Sequence, residues 1–206
     1  QQLAVETKTD LSPVTIADRA AEEAMRRIID QAFPDHGILG EEDEDVGLES
    51  EYVWVLDPID GTRSFIAGKP QFGTLIGLCH RGEPILGLMN QPITNERWVG
   101  IKEQKTMFYA STCTLPLQGR EITTRACSTV AEAVISTTSP HYFPPPRKER
   151  FKNLRKQCKE VQYGGDCYSD GLLVMGGLDL VVEADLKPYD IMPLRPIIEG
   201  AGGIMS

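Results

Sequence analysis

The stretch EYVWVLDPIDGTRSF, residues 51–65, sets two aspartates, Asp57 and Asp60, around a proline where an apolar run ends. Two carboxylates this close repel each other unless a cation sits between them. Side chains alternate faces along a strand, so Asp57 and Asp60 do not converge within one regular strand. Pro58 is expected to break the strand and allow a turn. Across it both carboxylates aim at one point while the Ile59 carbonyl turns outward. Two carboxylates and a carbonyl are hard oxygen ligands suited to Mg2+ or Mn2+. Gly61-Thr62 then opens a helix whose first N–H groups form a phosphate site. Metal-binding acids beside a phosphate cradle point to metal-assisted phosphoryl hydrolysis. An isolated D-x-x-D is more often a turn followed by a helix cap, so the wider sequence has to decide between the two.

The elements that position these residues are legible in outline. Residues 3–9 look extended, and Ser12-Pro13 is a strong helix start. Val14, Ala17, Ala21, Ala24, Met25, Ile28 and Ala32 follow at helical spacing, so a helix is expected over about 13–33, ended by Pro34 and Gly37. Residues 36–40 read as a strand end that delivers Glu41 and Glu42 to an acidic loop, 41–51. Val53 to Leu56 is expected to be a buried strand. Phe72 to Cys79 and Pro84 to Met89 form a hairpin around residues 80–83, and Glu96 to Ile101 adds a third strand. Met107 to Cys113 carries no pattern that we can assign. A break at 115–120 divides the chain into an N-terminal lobe, 1–117, and a C-terminal lobe, 118–206. In the second lobe Val134 to Thr138 is a strand, and Pro144 to Pro146 lead into a basic helix, Arg147 to Lys159. Ser169 to Gly176 is a helix and Leu178 to Glu183 a buried strand. Asp190 to Glu199 is a last helix, capped by Asp190 and kinked at Pro196.

Composition narrows the function classes. The chain has 206 residues, 41% hydrophobic and 25% charged, ordinary values for a soluble globular protein. No apolar run approaches the ~20 residues of a membrane span, and no secretory signal is visible. The net charge of −9 argues against a nucleic-acid or anionic-membrane binder. It leaves room for a small phosphorylated substrate if bound cations reverse the local sign. Five cysteines without a C-x-x-C pair favour a reducing compartment over a disulfide framework or a zinc site. The three histidines are scattered, and no glycine-rich phosphate-loop motif is present.

The motif D-P-I-D-G-T-R-S-F, fifteen residues after G-E-E at 40–42, resembles the signature of the inositol monophosphatase superfamily of metal-dependent, lithium-sensitive phosphatases. R-S-F-I-A-G-K-P at 63–70, where inositol monophosphatases more often carry Thr-Asn-Phe, is similar to the histidinol-phosphate phosphatase branch. So are S-P-V-T-x-A-D at 12–18, T-T-S-P-H at 137–141, G-G-D-C-Y at 164–168 and Y-D-I-M-P-L at 189–194. The resemblance covers about residues 5–205. It implies an α+β fold, the layered sandwich of inositol monophosphatase and fructose-bisphosphatase, truncated at both ends.

The roles it implies are specific. Glu41 binds a metal and the attacking water, Asp57 bridges two metals, the Ile59 carbonyl joins the first site, and Asp60 and Asp190 form the second. Gly61 and Thr62 touch phosphate, and the Thr62 hydroxyl, oriented by Asp18, helps activate the water. Asp60, Asp190 and Arg63 border the substrate, and Asp166 and Glu183 contact its leaving portion. The carboxylates in excess of those needed for metal (Asp166, Glu183, Asp185) suit a cationic substrate better than neutral inositol. The implied activity is hydrolysis of histidinol phosphate to histidinol, in histidine biosynthesis. Mg2+ is the expected cofactor, with Mn2+ as a substitute and Li+ as an inhibitor. The alternatives are an inositol, sugar or nucleotide phosphate as substrate, or a truncated relative without catalysis. The family often forms dimers, so a homodimer is an expectation. The strands at 72–89 are either its contact or, more plainly, core. The implied location is soluble: cytoplasm, or plastid stroma in a plant or alga.

Overall fold

The structure is a computed structural model that describes residues 5–7, 13–110 and 119–206. Strands β1 (Val5–Thr7) and β2 (Pro13–Thr15) pair antiparallel and lead into helix α1 (Ile16–Ala32). The helix begins later than its sequence suggests. Thr15, extended at φ −117° and ψ 166°, is the N-cap, and its hydroxyl oxygen accepts a hydrogen bond from the Ala17 amide at 3.1 Å. Asp18 returns the bond and closes a capping box, which removes any need for a cap at Ser12, outside the described residues. The alanine-rich stripe is only half-covered, with Ala17, Ala21, Ala24 and Met25 partly buried. Ile28 is 63% exposed, whereas Asp18, Glu22 and Ile29 are buried. A search for apolar periodicity misses this face because two of its members are carboxylates.

Strand β3 (Gly37–Gly40) runs parallel to β4 (Tyr52–Asp60). Contrary to expectation, β4 does not end at Pro58. It continues to Asp60, and its register on the next strand slips between Asp57 and Asp60, a β-bulge. The bulge takes the place of the expected turn: it absorbs the missing proline N–H and re-aims the side chains that follow. The Pro58 carbonyl accepts the Thr74 hydroxyl at 2.8 Å. Helix α2 (Thr62–Ile66) follows at once, with Gly61 as its N-cap.

Strands β5 (Gly73–His80) and β6 (Glu83–Gln91) form the expected hairpin, turned by Arg81 and Gly82, both at positive φ. Strands β7 (Glu96–Ile101), β8 (Met107–Ala110) and β9 (Gly119–Glu121) complete a seven-stranded sheet in the order β3-β4-β5-β6-β7-β8-β9. The expected break at 115–120 lies largely outside the described residues, and β9 beyond it belongs to this sheet. β5 and β6 sit at its centre, where Leu75 and Met89 join the main core, which is the plainer of the two readings of 72–89.

The second sheet is small and parallel. Strand β10 (Val134–Thr137) leads through the proline run to α3 (Arg147–Arg155), β11 (Glu160–Tyr163), α4 (Asp166–Val174) and β12 (Leu180–Val181), in the order β11-β10-β12. α4 begins three residues before the expected start at Ser169. The expected last helix is two: α5 (Pro188–Ile191) and α6 (Leu194–Gly200). Pro196 then falls in the first turn of α6, where no amide donor is required, so it starts a helix instead of kinking one. Asp190 is accordingly no N-cap. It is the third residue of α5 and closes a capping box onto the Lys187 amide at 2.7 Å.

One row of glycines sets where α6 lies. Gly77, Gly87 and Gly100 pair across β5, β6 and β7. A Cβ on them would stand 3.2 Å from Pro193, 1.8 Å from the Pro193 carbonyl oxygen and 2.3 Å from the Ile197 nitrogen. The row is a trough that the backbone of residues 193–197 occupies. Leu194, Ile197 and Ile198 pack with Leu75, Met89, Trp98 and Val174 in the main core.

Candidate active site

The bulged end of β4, the loop after β3, α5 and the first turn of α4 meet at one cavity of about 390 Å³. Its lining includes Glu41, Asp60, Gly61, Thr62, Arg63, Asp166, Glu183 and Asp190. Below it, Asp57, Asp60 and Asp190 each place a carboxylate oxygen within 4.8 Å of the other two. Asp57 is 1% exposed, and its Oδ1 is buried with no hydrogen-bond partner among the described residues. Burial, then the charges of Asp60, Glu41 and Asp190, hold the Asp57 carboxyl well above the usual range. Asp60 is pushed up to about 8, first by burial and then by Asp166, against the Cys167 amide that donates to its Oδ2 at 2.5 Å. Burial likewise lifts Asp190 to about 6, opposed by the Lys187 amide. A trio of acids, one buried and two half-buried, with one orphaned oxygen is a donor set for a hard divalent cation, and such a cation fits. Glu41 stands outside the tightest trio but borders the same cavity, and its charge acts on both Asp57 and Asp190.

Asp18 and Thr62 come together as expected, but loosely. The Thr62 hydroxyl lies 3.1 Å from the Ile59 carbonyl and 3.4 Å from Asp18 Oδ1. It has one proton, so the nearer carbonyl takes most of it. The Ile59 carbonyl keeps its second lone pair for another partner. Asp18, with no exposed surface, is held by the Thr15 amide at 2.8 Å and the Thr15 hydroxyl at 2.5 Å, both on Oδ2. Gly61 is required twice over. Its φ is +84°, and a Cβ there would lie 2.8 Å from Asp166 Oδ2. Asp166, itself at φ 44°, accepts the Ser64 hydroxyl at 2.8 Å, and burial lifts its pKa against Ser64, Lys69 and Arg63. Arg63 lies over the Tyr142 ring, 5.6 Å from its centre. Glu183 is oriented by the Thr138 amide at 2.6 Å and the Thr137 hydroxyl at 3.3 Å. Asp185 lines the cavity too, at φ 61°, with Arg147 at 3.7 Å.

Sequence reasoning missed Asp170. It lines the same cavity, and burial followed by the Glu183 charge lifts it to about 7. The signal was available: with α4 starting at Asp166, residues 166 and 170 share one helical face. A helix placed to start at Ser169 hides that.

The sequence profile of the inositol monophosphatase family matches residues 1–206. The chain belongs to the inositol monophosphatase family. Among relatives of this family, the chain is 50% identical over 201 residues to the bifunctional phosphatase IMPL2, chloroplastic, of Arabidopsis thaliana, covering 97% of this chain and 56% of that protein. It thus spans little more than half the length of that plant relative. It is 36% identical to the histidinol-phosphatase of Chlorobaculum parvum, covering 98% of this chain and 75% of that protein. The inositol monophosphatase structure from Zymomonas mobilis superposes with a TM-score of 0.84 at 48% identity, over 98% of this chain and 75% of that one. The Thermotoga maritima family member gives 0.82 at 26% identity, over 97% and 74%. The fold is therefore the α+β layered sandwich of this family. No helix among the described residues is long and apolar enough to cross a membrane.

Proposed function

We propose that this protein is a Mg2+-dependent phosphomonoesterase that hydrolyses histidinol phosphate to histidinol and phosphate. The observation that carries the metal-dependent chemistry is the convergent trio Asp57, Asp60 and Asp190 with its buried, orphaned Asp57 oxygen. Those three acids, with Glu41 and the Ile59 carbonyl, would hold Mg2+ or Mn2+, which supplies Lewis acidity toward the phosphate and an acidified water at neutral pH. The chain's own groups do the rest. Glu41 accepts a hydrogen bond from the attacking water and orients it. Thr62, fixed by Ile59 and Asp18, directs its hydroxyl oxygen at the same water. Gly61, lacking a Cβ, lets the phosphate approach the start of α2, where Arg63 is the nearby cation. No cysteine nucleophile is needed, and burial pushes the Cys167 thiol well up, away from thiolate chemistry.

The substrate assignment is supported by the acids left over. Asp166, Asp170 and Glu183 line the cavity in addition to the trio, and no lysine is among its lining residues. Histidinol phosphate brings an ammonium and an imidazole to those acids, and inositol brings only hydroxyls. Relatives named histidinol-phosphatase point the same way, at 36%, 33% and 31% identity. The plant relative's name, bifunctional phosphatase, favours a second reading in which another phosphomonoester is also turned over. Its description as chloroplastic supports a plastid location. Phosphate release from histidinol phosphate, inositol 1-phosphate, a sugar phosphate and a nucleoside 3′-phosphate, with and without Mg2+, tests the reading. The expected result is Mg2+-dependent release with kcat/KM highest for histidinol phosphate. Equal or higher kcat/KM for inositol 1-phosphate would overturn the substrate assignment, and release unaffected by chelation would overturn the metal assignment.

A further inference from the structure

α1 presents three polar residues, one per turn, toward Thr62 and the loop after β3: Asp18, Glu22 and Arg26. The first meets Thr62. The other two have no part in the chemistry above, yet Glu22 has no exposed surface and Arg26 is only 12% exposed. We infer that Glu22 and Arg26 are positioning residues that hold the loop carrying Glu41 in its working geometry. The inference rests on the proposed role of Glu41 as a metal and water ligand.

The contacts are all to the loop's backbone. Glu22 Oε2 accepts the Glu42 amide at 2.9 Å, and Oε1 accepts the Asp43 amide at 3.2 Å. Arg26 donates to the carbonyls of Asp43 and Glu44, each at 3.1 Å. The two side chains are joined by Arg26 Nε and Nη2 on Glu22 Oε1, at 2.8 and 2.7 Å. On the other side of Glu41, Gly40 lies directly against the pair: a Cβ there would stand 2.0 Å from Glu22 Oε1 and 2.4 Å from Arg26 Nη2. The base of the loop is closed by mutual backbone bonds between Ile38 and Val46 at 2.8 and 2.9 Å. Glu41 is thus held on both flanks by groups of one helix.

The placement makes sense electrostatically. Residues 41–45 are five consecutive acids, which repel one another and the aspartate trio. A buried ion pair contributes less to stability than an apolar pair of similar volume would, so its retention needs another reason. Here the carboxylate satisfies two amides, and the guanidinium satisfies two carbonyls, of a loop too acidic to pack on its own. Because Asp18 lies one turn earlier on the same helix, α1 also registers the Glu41 loop against Thr62, which come from separate strands.

The test uses the whole chain and Mg2+ alone as probe. Glu22→Gln replaces one accepting oxygen by a carboxamide NH2, itself a donor, that faces a backbone amide donor. Calorimetric Mg2+ affinity should fall about tenfold and kcat should fall in parallel, with KM for the phosphate ester changed less than about twofold. Arg26→Met should weaken Mg2+ by about threefold, and Arg26→Lys should restore part of that, because an ammonium still reaches one carbonyl. Should Glu22→Gln not fold, the two Arg26 variants decide. A folded Glu22→Gln with unchanged Mg2+ affinity and kcat overturns the positioning role, as does an Arg26→Met indistinguishable from the parent. A parent chain that binds Mg2+ but cleaves no phosphomonoester overturns the proposed function alone, while a Mg2+ affinity that still falls in Glu22→Gln supports the positioning role. A parent that binds no Mg2+ overturns both.

Discussion

Gly87→Ala joins fold and site in a single perturbation. The new methyl would start 1.8 Å from the Pro193 carbonyl oxygen, a backbone atom with no rotamer to move. Reaching ordinary contact requires the start of α6 to retreat from the sheet by about 1.5 Å. That retreat lifts Leu194 and Ile197 off Leu75, Met89 and Trp98. Overpacking of this kind costs about 1–3 kcal/mol. For a chain of this size each kcal/mol lowers Tm by about 2–4 °C, so a fall of roughly 2–12 °C is expected. The same displacement acts on function, because Asp190 precedes Pro193 by three residues and sits within 4.8 Å of the other two acids. Misplacement of a reacting group by 1 Å costs on the order of 100-fold in rate, which bounds the loss of kcat. The assay is thermal unfolding beside an Mg2+ titration of phosphate release. Gly82→Ala is the control. It carries a positive-φ strain that Gly87 lacks, at +81°, but nothing lies within 4 Å of its Cβ. The control should lose about 1 kcal/mol and keep the parent's Mg2+ half-saturation. If Gly87→Ala melts with the control and saturates with Mg2+ like the parent, the trough does not set the position of Asp190.

Asp57→Asn removes the buried carboxyl of the trio without changing its shape; phosphate release should fall by at least about 100-fold, while Tm in a chelator rises because a buried acid crowded by Asp60, Glu41 and Asp190 is gone. Near-normal turnover would refute the metal assignment. In chelator, the parent's stability should fall as pH rises from about 4 to about 8: Asp60, raised to about 8, and Asp190, raised to about 6, keep protons in the folded state that the unfolded chain has already released. The stability present below the unfolded carboxylate pKa is lost through that window, and saturating Mg2+ should flatten the curve. A chelated chain whose stability is flat or rising over that range by chemical denaturation would contradict the assigned burial of the acids. Asp170→Asn should raise KM for histidinol phosphate about tenfold, equivalent to ~1.4 kcal/mol, and leave KM for inositol 1-phosphate unchanged. Equal shifts for both substrates would remove Asp170 from the recognition of the cationic end.

Signals that act within a few residues were legible without coordinates. Pro58 between two acids with Gly61 after them, the hairpin around residues 80–83 and the Glu41 loop after a short strand all follow from backbone sterics and side-chain chemistry in a local window. The distant decisions were not of that kind. Pro58 sits inside a continuing strand because the bulge opposite β5 absorbs its missing donor. α1 buries Asp18 and Glu22 more deeply than its alanines because their partners, Thr62 and the amides of Glu42 and Asp43, come from other elements. Asp170 joins the cavity only once Gly164 and Gly165 turn the chain into α4 early. Asp190 reaches Asp57 because a row of glycines on three strands lets the backbone at Pro193 lie flat on the sheet. The local chain therefore settled which groups are able to bind a cation and a phosphate. Their convergence was decided by tertiary packing, because the energy of a buried polar group depends on partners that proximity in sequence does not supply.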